Sequence, residues 1–269
     1  MDKIRYSQPV LRQFGLVNGR GLWTLFCRGL RRCWRAGWYS ISGPCISSIL
    51  FLVVFVLASD PDQTMVQGVT VAQFVAAGVV VLSLSQSAFE AGGIWLMEDK
   101  MEGVIWDLFS APLTPAEIFA GYLLPAVTFA LLVGGVVTGL IALLVGLSIT
   151  FPLICLLFAM LAALFFAQIG VLAGILAQRW ESYSFFEFFL VLPLAFLSGG
   201  FFAAAALPVS LKPVLAINPV FYLMDGFRFG LTGFAQGPIL AGFLGLVVLN
   251  GAMAWGIWRL LRSGFHIKA

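Results

Sequence analysis

Successive apolar runs, each about the length needed to cross a bilayer and nearly free of charge, constrain this chain more than any other feature. A helix rises about 1.5 Å per residue, so roughly 20 apolar residues cover a hydrocarbon core of about 30 Å. Six runs approach or exceed that length, near residues 40–58, 70–96, 118–147, 152–177, 184–203 and 239–261. Apolar residues make up 61% of the chain and charged residues 10%, against about 25% charged in a soluble domain. Such a surface could not be kept in water, so lipid must be the solvent and the backbone must satisfy itself internally. The runs do not alternate with period two, which selects helices over a barrel. The expected fold is an all-α integral membrane protein of six transmembrane helices, organised as one unit. An arm (1–37) is cytoplasmic or interfacial, a six-span bundle (38–262) follows, and a short tail (263–269) is cytoplasmic.

The distribution of cations gives an orientation. Net charge is only +3, but eight of the 15 Lys and Arg residues precede position 36 and three follow position 258. With the N-terminus inside, cytoplasmic segments hold eight, one, one and three cations, and the outer segments hold only Lys212 and Arg228. The positive-inside rule therefore puts both termini in the cytoplasm. Anchoring beside an anionic bilayer accounts for the basic arm without nucleic acid. No cleavable signal peptide is expected, because the first long apolar run starts late and no small-residue cleavage site follows a short core.

Within the arm, a helical projection of residues 22–34 sets Leu22, Phe26, Leu30, Cys33 and Trp34 on one side. Arg28, Arg31, Arg32 and Arg35 fall opposite. This pattern predicts a helix lying on the inner membrane surface with its guanidiniums toward head groups; a basic helix packed on a soluble partner has the same projection. The run 59–62, Ser-Asp-Pro-Asp, closes the first span. Gly135 with Gly139, and Gly170 with Gly174, have the GxxxG spacing of close helix contacts, within one chain or at a dimer seam.

Several chemistries are excluded by missing motifs. There is no GxxxxGK[ST] loop to cradle ATP phosphates, and no HExxH or GxSxG. The single histidine, His266, cannot build a metal site, and Cys27, Cys33, Cys45 and Cys155 lack zinc or disulfide spacing and read as small apolar filler. Glu90 and Glu187 are the acids available for an ion relay, and both are expected near span ends.

Two segments carry functional information. The first, 97–117, reads MEDKMEGVIWDLFSAPLTPAE. Met101, Val104, Ile105 and Leu108 recur at helical spacing, Glu98, Asp99 and Glu102 are expected in the first turn, and Pro112 and Pro115 end the helix. A connecting loop helix has the same spacing. The second, following the fifth run, is too apolar for a watery loop and too broken by Pro208, Pro213 and Pro219 for one span. Short helices dipping into the outer leaflet fit it, and Asp225 and Arg228, three apart, are expected to pair on one face.

Taken in order, Glu102-Gly103, Leu108, Pro112, Glu117 and Gly121, then Ser198-Gly199-Gly200, Pro208, Asn218-Pro219 and Gly226-Phe227-Arg228, resemble the membrane subunit of an ABC type-2 exporter. That bacterial family includes nodulation-factor, polysaccharide and drug exporters, and the likeness covers nearly the whole chain. It implies a multi-pass permease of the inner membrane, without catalysis of its own. Two permease chains, here a homodimer, would pair with separate ATP-binding-cassette subunits that hold ATP and Mg; this chain would bind no cofactor or metal. Glu98, Asp99, Glu102, Gly103, Ile105, Leu108 and Pro112 would form the coupling helix seated in the ATPase. The family places the pathway along the second and fifth spans, where Phe185, Phe189 and Phe196 would line it; lipid-facing packing fits these rings equally. Pro208, Asn218, Pro219, Asp225 and Arg228 would shape the outer segment. The cargo would be amphipathic, lipid-linked, saccharide or drug-like. An ion-gradient-driven secondary transporter is the competing class, followed by a non-transporting scaffold.

Overall fold

The computed structural model describes residues 18–35, 38–57, 64–66, 69–147, 149–203, 208, 210 and 212–264. The turn expected at 59–62, His266 and the arm before residue 18 lie outside them. Among the described residues the chain is helical apart from one hairpin. The order is α1 (Gly19–Arg35), α2 (Tyr39–Leu57), β1 (Thr64–Val66), β2 (Val69–Thr70), α3 (Val71–Met101), α4 (Val104–Ser110), α5 (Pro115–Val145) and α6 (Pro152–Leu176). Then come α7 (Trp180–Phe186), a π-helical turn (Glu187–Val191), α8 (Leu192–Phe196), α9 (Lys212–Ile217), α10 (Pro219–Thr232) and α11 (Ile239–Ser263). The hairpin strands pair antiparallel, Thr64 with Thr70 and Val66 with Val69.

Among the described residues, five helices are long and apolar enough to cross a membrane: α2, α3, α5, α6 and α11. The sixth expected span, 184–203, is not one α-helix. It is continuous only from Trp180 to Phe196, in three pieces with a π-turn at the centre. Pro193 is the cause. Its ring displaces the carbonyl four residues back and it has no N–H to donate, so the chain widens to i→i+5 bonding just before it. The Leu192 N–H accordingly donates to Glu187 O.

α3 and α6 form the buried centre, with α5 and α10 packed on them, while α2 and α11 are peripheral. Without a hydrophobic force between helices in lipid, close van der Waals approach must hold them together. Small residues supply it. A Cβ added at Gly92 would lie 2.5 Å from Ala167 O, and one at Gly170 would lie 2.2 Å from Phe89 O. Gly170 and Gly174 therefore pack within the chain, whereas Gly135 and Gly139 have nothing within 4 Å of an added Cβ. They border a shallow groove of about 320 Å³ between α5 and α6.

Candidate coupling site and membrane cavity

α3 starts on a capping box, in which Thr70 Oγ1 accepts from Gln73 N and the Gln73 side chain accepts from Thr70 N. It then runs past its apolar stretch to Met101. Glu98 and Asp99 are thus in the last turn of α3, not the first turn of the next helix, which corrects the sequence expectation. Gly103, at φ 78°, is the reason: this left-handed conformation suits glycine and ends the helix before α4 begins.

Acids at a helix C-terminus oppose the dipole, so Asp99 requires compensation. It is fully buried and receives Arg28 and Arg32 from α1, together with the Tyr122 hydroxyl of α5 at 2.5 Å. Arg32 also donates to Trp95 O at 3.0 Å and lies 4.0 Å from Glu98. The neighbouring Lys100 donates to Gly174 O at 3.2 Å and Ile175 O at 2.9 Å, and to Ala177 O, capping the end of α6.

The start of α5 is fixed in the same way. Thr114 and Glu117 form a capping box, and the other Glu117 oxygen accepts the Asn18 N–H at 2.5 Å. Asn18 Nδ2 in turn donates to Pro112 O at 3.2 Å. α1 therefore grips both ends of the α3–α4–α5 connection. Between the grips, Ile105 and Leu108 of α4 turn into the core, while Met101, Glu102, Trp106, Asp107 and Ser110 are exposed. Pro112 is exposed too, and Glu98 is half-buried. Among the residues assigned to coupling from sequence, then, Asp99, Ile105 and Leu108 face inward. Met101, Trp106 and Asp107, not among the residues assigned from sequence, are exposed on the same segment as Glu102.

The arginines of α1 divide likewise. Arg28 and Arg32 point inward beside the buried Leu25 and Gly29, which pack on Gly121 and Pro125 of α5. Arg31 and Arg35 are exposed, alongside Trp23 and Trp34. The basic face projected from sequence forms on α1, but half of it meets protein instead of head groups. The buried Asp99 draws two of the four guanidiniums in. Burial also pushes the Cys33 thiol up to about 11, as suits an unreactive filler.

A cavity of about 740 Å³ opens between α2, α3 and α8. Ser83, Gln86, Ser87 and Glu90 of α3 supply a polar stripe at helical spacing, faced by Phe51 of α2 and Phe196 of α8. Glu90 stands eight residues before Glu98, about 12 Å along the helix. A charge at bilayer depth costs roughly 3 kcal/mol unless it faces protein or water, and the cavity is what Glu90 faces. Phe185 and Phe189 stack at 4.5 Å on the exposed side of α7 and the π-turn, away from the cavity.

At the opposite end, Asn218 caps α10 by accepting from Val220 N, and it donates to Leu194 O at 2.9 Å and Leu197 O at 3.1 Å. Pro219 occupies the first turn of α10, and Pro208 is exposed. Asp225 accepts from Gln236 N and Gly237 N. Arg228, 3.8 Å from Asp225, is fully buried, donates to Gly199 O at 2.8 Å and lies 3.6 Å from the centroid of the Phe74 ring.

A family model described as ABC-2 type transporter matches residues 20–232. Similar proteins include the inner membrane transport permease YadH of Escherichia coli K12, 26% identical over 246 residues, covering 91% of this chain and 96% of that protein. Nodulation protein J of Rhizobium leguminosarum bv. viciae is 29% identical over 170 residues, covering 61% of this chain and 63% of that one.

Proposed function

The chain belongs to the ABC-2 type transporter family, and on that premise we propose that it is the membrane-spanning permease subunit of an ATP-binding-cassette exporter. It sits in the inner membrane with both termini cytoplasmic, works as a homodimer, and exports an amphipathic, lipid-linked, saccharide or drug-like cargo. A separate ATPase subunit binds ATP and Mg and does the hydrolysis.

One observation carries this reading: a short helix, α4, is exposed on one face and gripped at both ends by buried polar contacts. A force applied to α4 cannot dissipate in a slack loop. It passes through the Gly103 joint into α3, the helix whose polar stripe lines the cavity, and through Asp99 into α1. The outward face joins Trp106 and Met101 to Glu102 and Asp107, an apolar patch with acidic neighbours suited to a groove with basic edges on the motor. The name of one similar protein, an inner membrane transport permease, agrees with a transport role.

The test is co-purification and coupling. Extracted in mild detergent, the chain should carry an ATP-binding-cassette subunit whose hydrolysis it stimulates. Transport that persists on ATP depletion and collapses with the proton gradient would instead establish the ion-driven class.

A further inference from the structure

We propose that the cavity between α2, α3 and α8 is a binding site for an amphipathic cation, a protonated amine or similar nitrogen cation carried on an aromatic or acyl body. The inference rests on the permease reading and narrows its cargo class.

Charge provides the first argument. Three buried or half-buried acids have strong partners: Asp99 has two guanidiniums, Asp225 has Arg228 and two backbone N–H groups, and Glu117 has the N–H groups of Thr114 and Asn18. Glu90 and Glu187 differ. Glu187 acts electrostatically on Glu90, and neither has an ion-pair partner among the described residues. Arg32 reaches the cytoplasmic end of the cavity, but its guanidinium is committed to Asp99 and Glu98. A carboxylate without a counter-charge on the cavity wall at bilayer depth, with a second carboxylate acting on it, leaves a deficit that a cation fills.

Hydrogen bonding provides the second. Ser83 and Ser87, one turn apart on α3, are 4% and 2% exposed and line the cavity. Neither hydroxyl has a hydrogen-bond partner among the described residues. Buried hydroxyls without partners are rare in folded proteins, and these two lie along the stripe that leads to Glu90, where each can accept an N–H.

Size and lining provide the third. At about 740 Å³ the space lies within the range for small organic ligands and is far larger than a bare ion needs. No group of three metal-ligating side chains occurs among the described residues. Phe51, Phe196 and Trp95 offer aromatic surface to a hydrophobic body and π faces to its charge.

Ethidium, a fixed cation with aromatic N–H groups, is the probe, with neutral Nile red as the comparison. Both are titrated by fluorescence into the full chain purified in dodecyl maltoside. Saturable ethidium binding is expected. Glu90→Gln should weaken it at least about tenfold, while Glu90→Asp, which keeps the charge, stays within about threefold. Nile red binding should not respond to Glu90→Gln. Ser83→Ala/Ser87→Ala should weaken ethidium about threefold or more, and this pair carries the test if Glu90→Gln elutes aggregated. Unsaturable ethidium binding, an unchanged Kd in the Gln variant, an equal loss for Nile red, or an unchanged Kd in a folded serine pair would each overturn the site. The chain is expressed without an ATPase partner for this assay, so its failure leaves the permease reading standing, and loss of ATPase co-purification leaves these Kd values readable.

Discussion

Arg28 and Asp99 stand 71 residues apart in the chain, yet the guanidinium of the first donates to the fully buried carboxylate of the second. Arg32, one turn further along α1, takes the other carboxylate oxygen. The N-terminal helix is thereby locked to the end of α3, the helix that feeds the exposed α4. Removing one member of a buried ion cluster typically costs about 3–5 kcal/mol, because the others are left unpaired. Here the two arginine side chains are 22–31% exposed, so water recovers part of the loss.

Asp99→Asn should therefore destabilise the purified chain by about 2–3 kcal/mol. A thermal melt in detergent reads this as a midpoint lowered by several degrees. Replacing Arg28 and Arg32 by Met in the Asp99→Asn background should recover part of the loss, since no cation is then left facing a neutral amide. An unchanged midpoint in Asp99→Asn would show that the cluster does not hold α1 in place.

The two faces of α4 separate coupling from stability. Trp106 and Asp107 are exposed, so Trp106→Ala with Asp107→Lys should leave the melt within about 0.5 kcal/mol of wild type. ATPase stimulation should drop at least about tenfold, as expected when an aromatic anchor and a charge are lost from an interface. Ile105 is buried, and Ile105→Ala should instead lower stability by about 2–4 kcal/mol. A double variant that stimulates the ATPase normally would remove α4 from the coupling route.

The contrast between these faces shows what was legible in the sequence. Apolar runs located α2, α3, α5, α6 and α11 to within a few residues, because hydrocarbon thickness dictates their length. The run near 70–96 understated α3, since hydropathy stops at Leu96 while the helix continues through polar residues to Met101. The spacing of Met101, Val104, Ile105 and Leu108 passes smoothly across Gly103, so periodicity alone merged two helices that a positive φ divides. That merger assigned Asp99 to the coupling face when its partners are Arg28 and Arg32, a relationship only the packing of α1 on α3 and α5 creates. The break near Pro193 was hidden by the uniform hydrophobicity around it. The cavity stripe, Ser83, Gln86, Ser87 and Glu90, had readable helical spacing but is diluted in any window long enough to detect a span.

The two GxxxG pairs should respond oppositely to substitution. A methyl group at Gly170 would meet the backbone oxygen of Phe89 at 2.2 Å, and backbone cannot swing aside as a side chain can. Gly170→Ala should separate α3 from α6 and destabilise the chain by about 1–3 kcal/mol. Gly135→Ala meets nothing within 4 Å and should leave the chain unchanged or up to about 1 kcal/mol more stable through helix propensity. Detergent melts of the two variants check this. Similar losses in both would mean that the α5 groove is occupied, as a seam between two copies of the chain would make it.

Arg228 and Asp225 give the last prediction. Arg228 is fully buried, bonds to Gly199 O and covers the Phe74 ring, so it ties α10 to the end of α8 and the start of α3. Lysine keeps the charge but offers a point where the guanidinium offers a plane, and cannot bond the carbonyl while covering the ring in the same way. Arg228→Lys should cost about 1–3 kcal/mol, and Arg228→Met about 3–5 kcal/mol because Asp225 then loses its counter-charge. Asp225 keeps the Gln236 and Gly237 N–H groups in that variant but has lost its guanidinium. Adding Asp225→Asn to Arg228→Met should therefore restore stability in part, and a double-mutant cycle on the melts measures the coupling. Strict additivity of the two losses would show that the pair, though 3.8 Å apart, does not interact energetically and that the carbonyl and ring contacts alone hold Arg228.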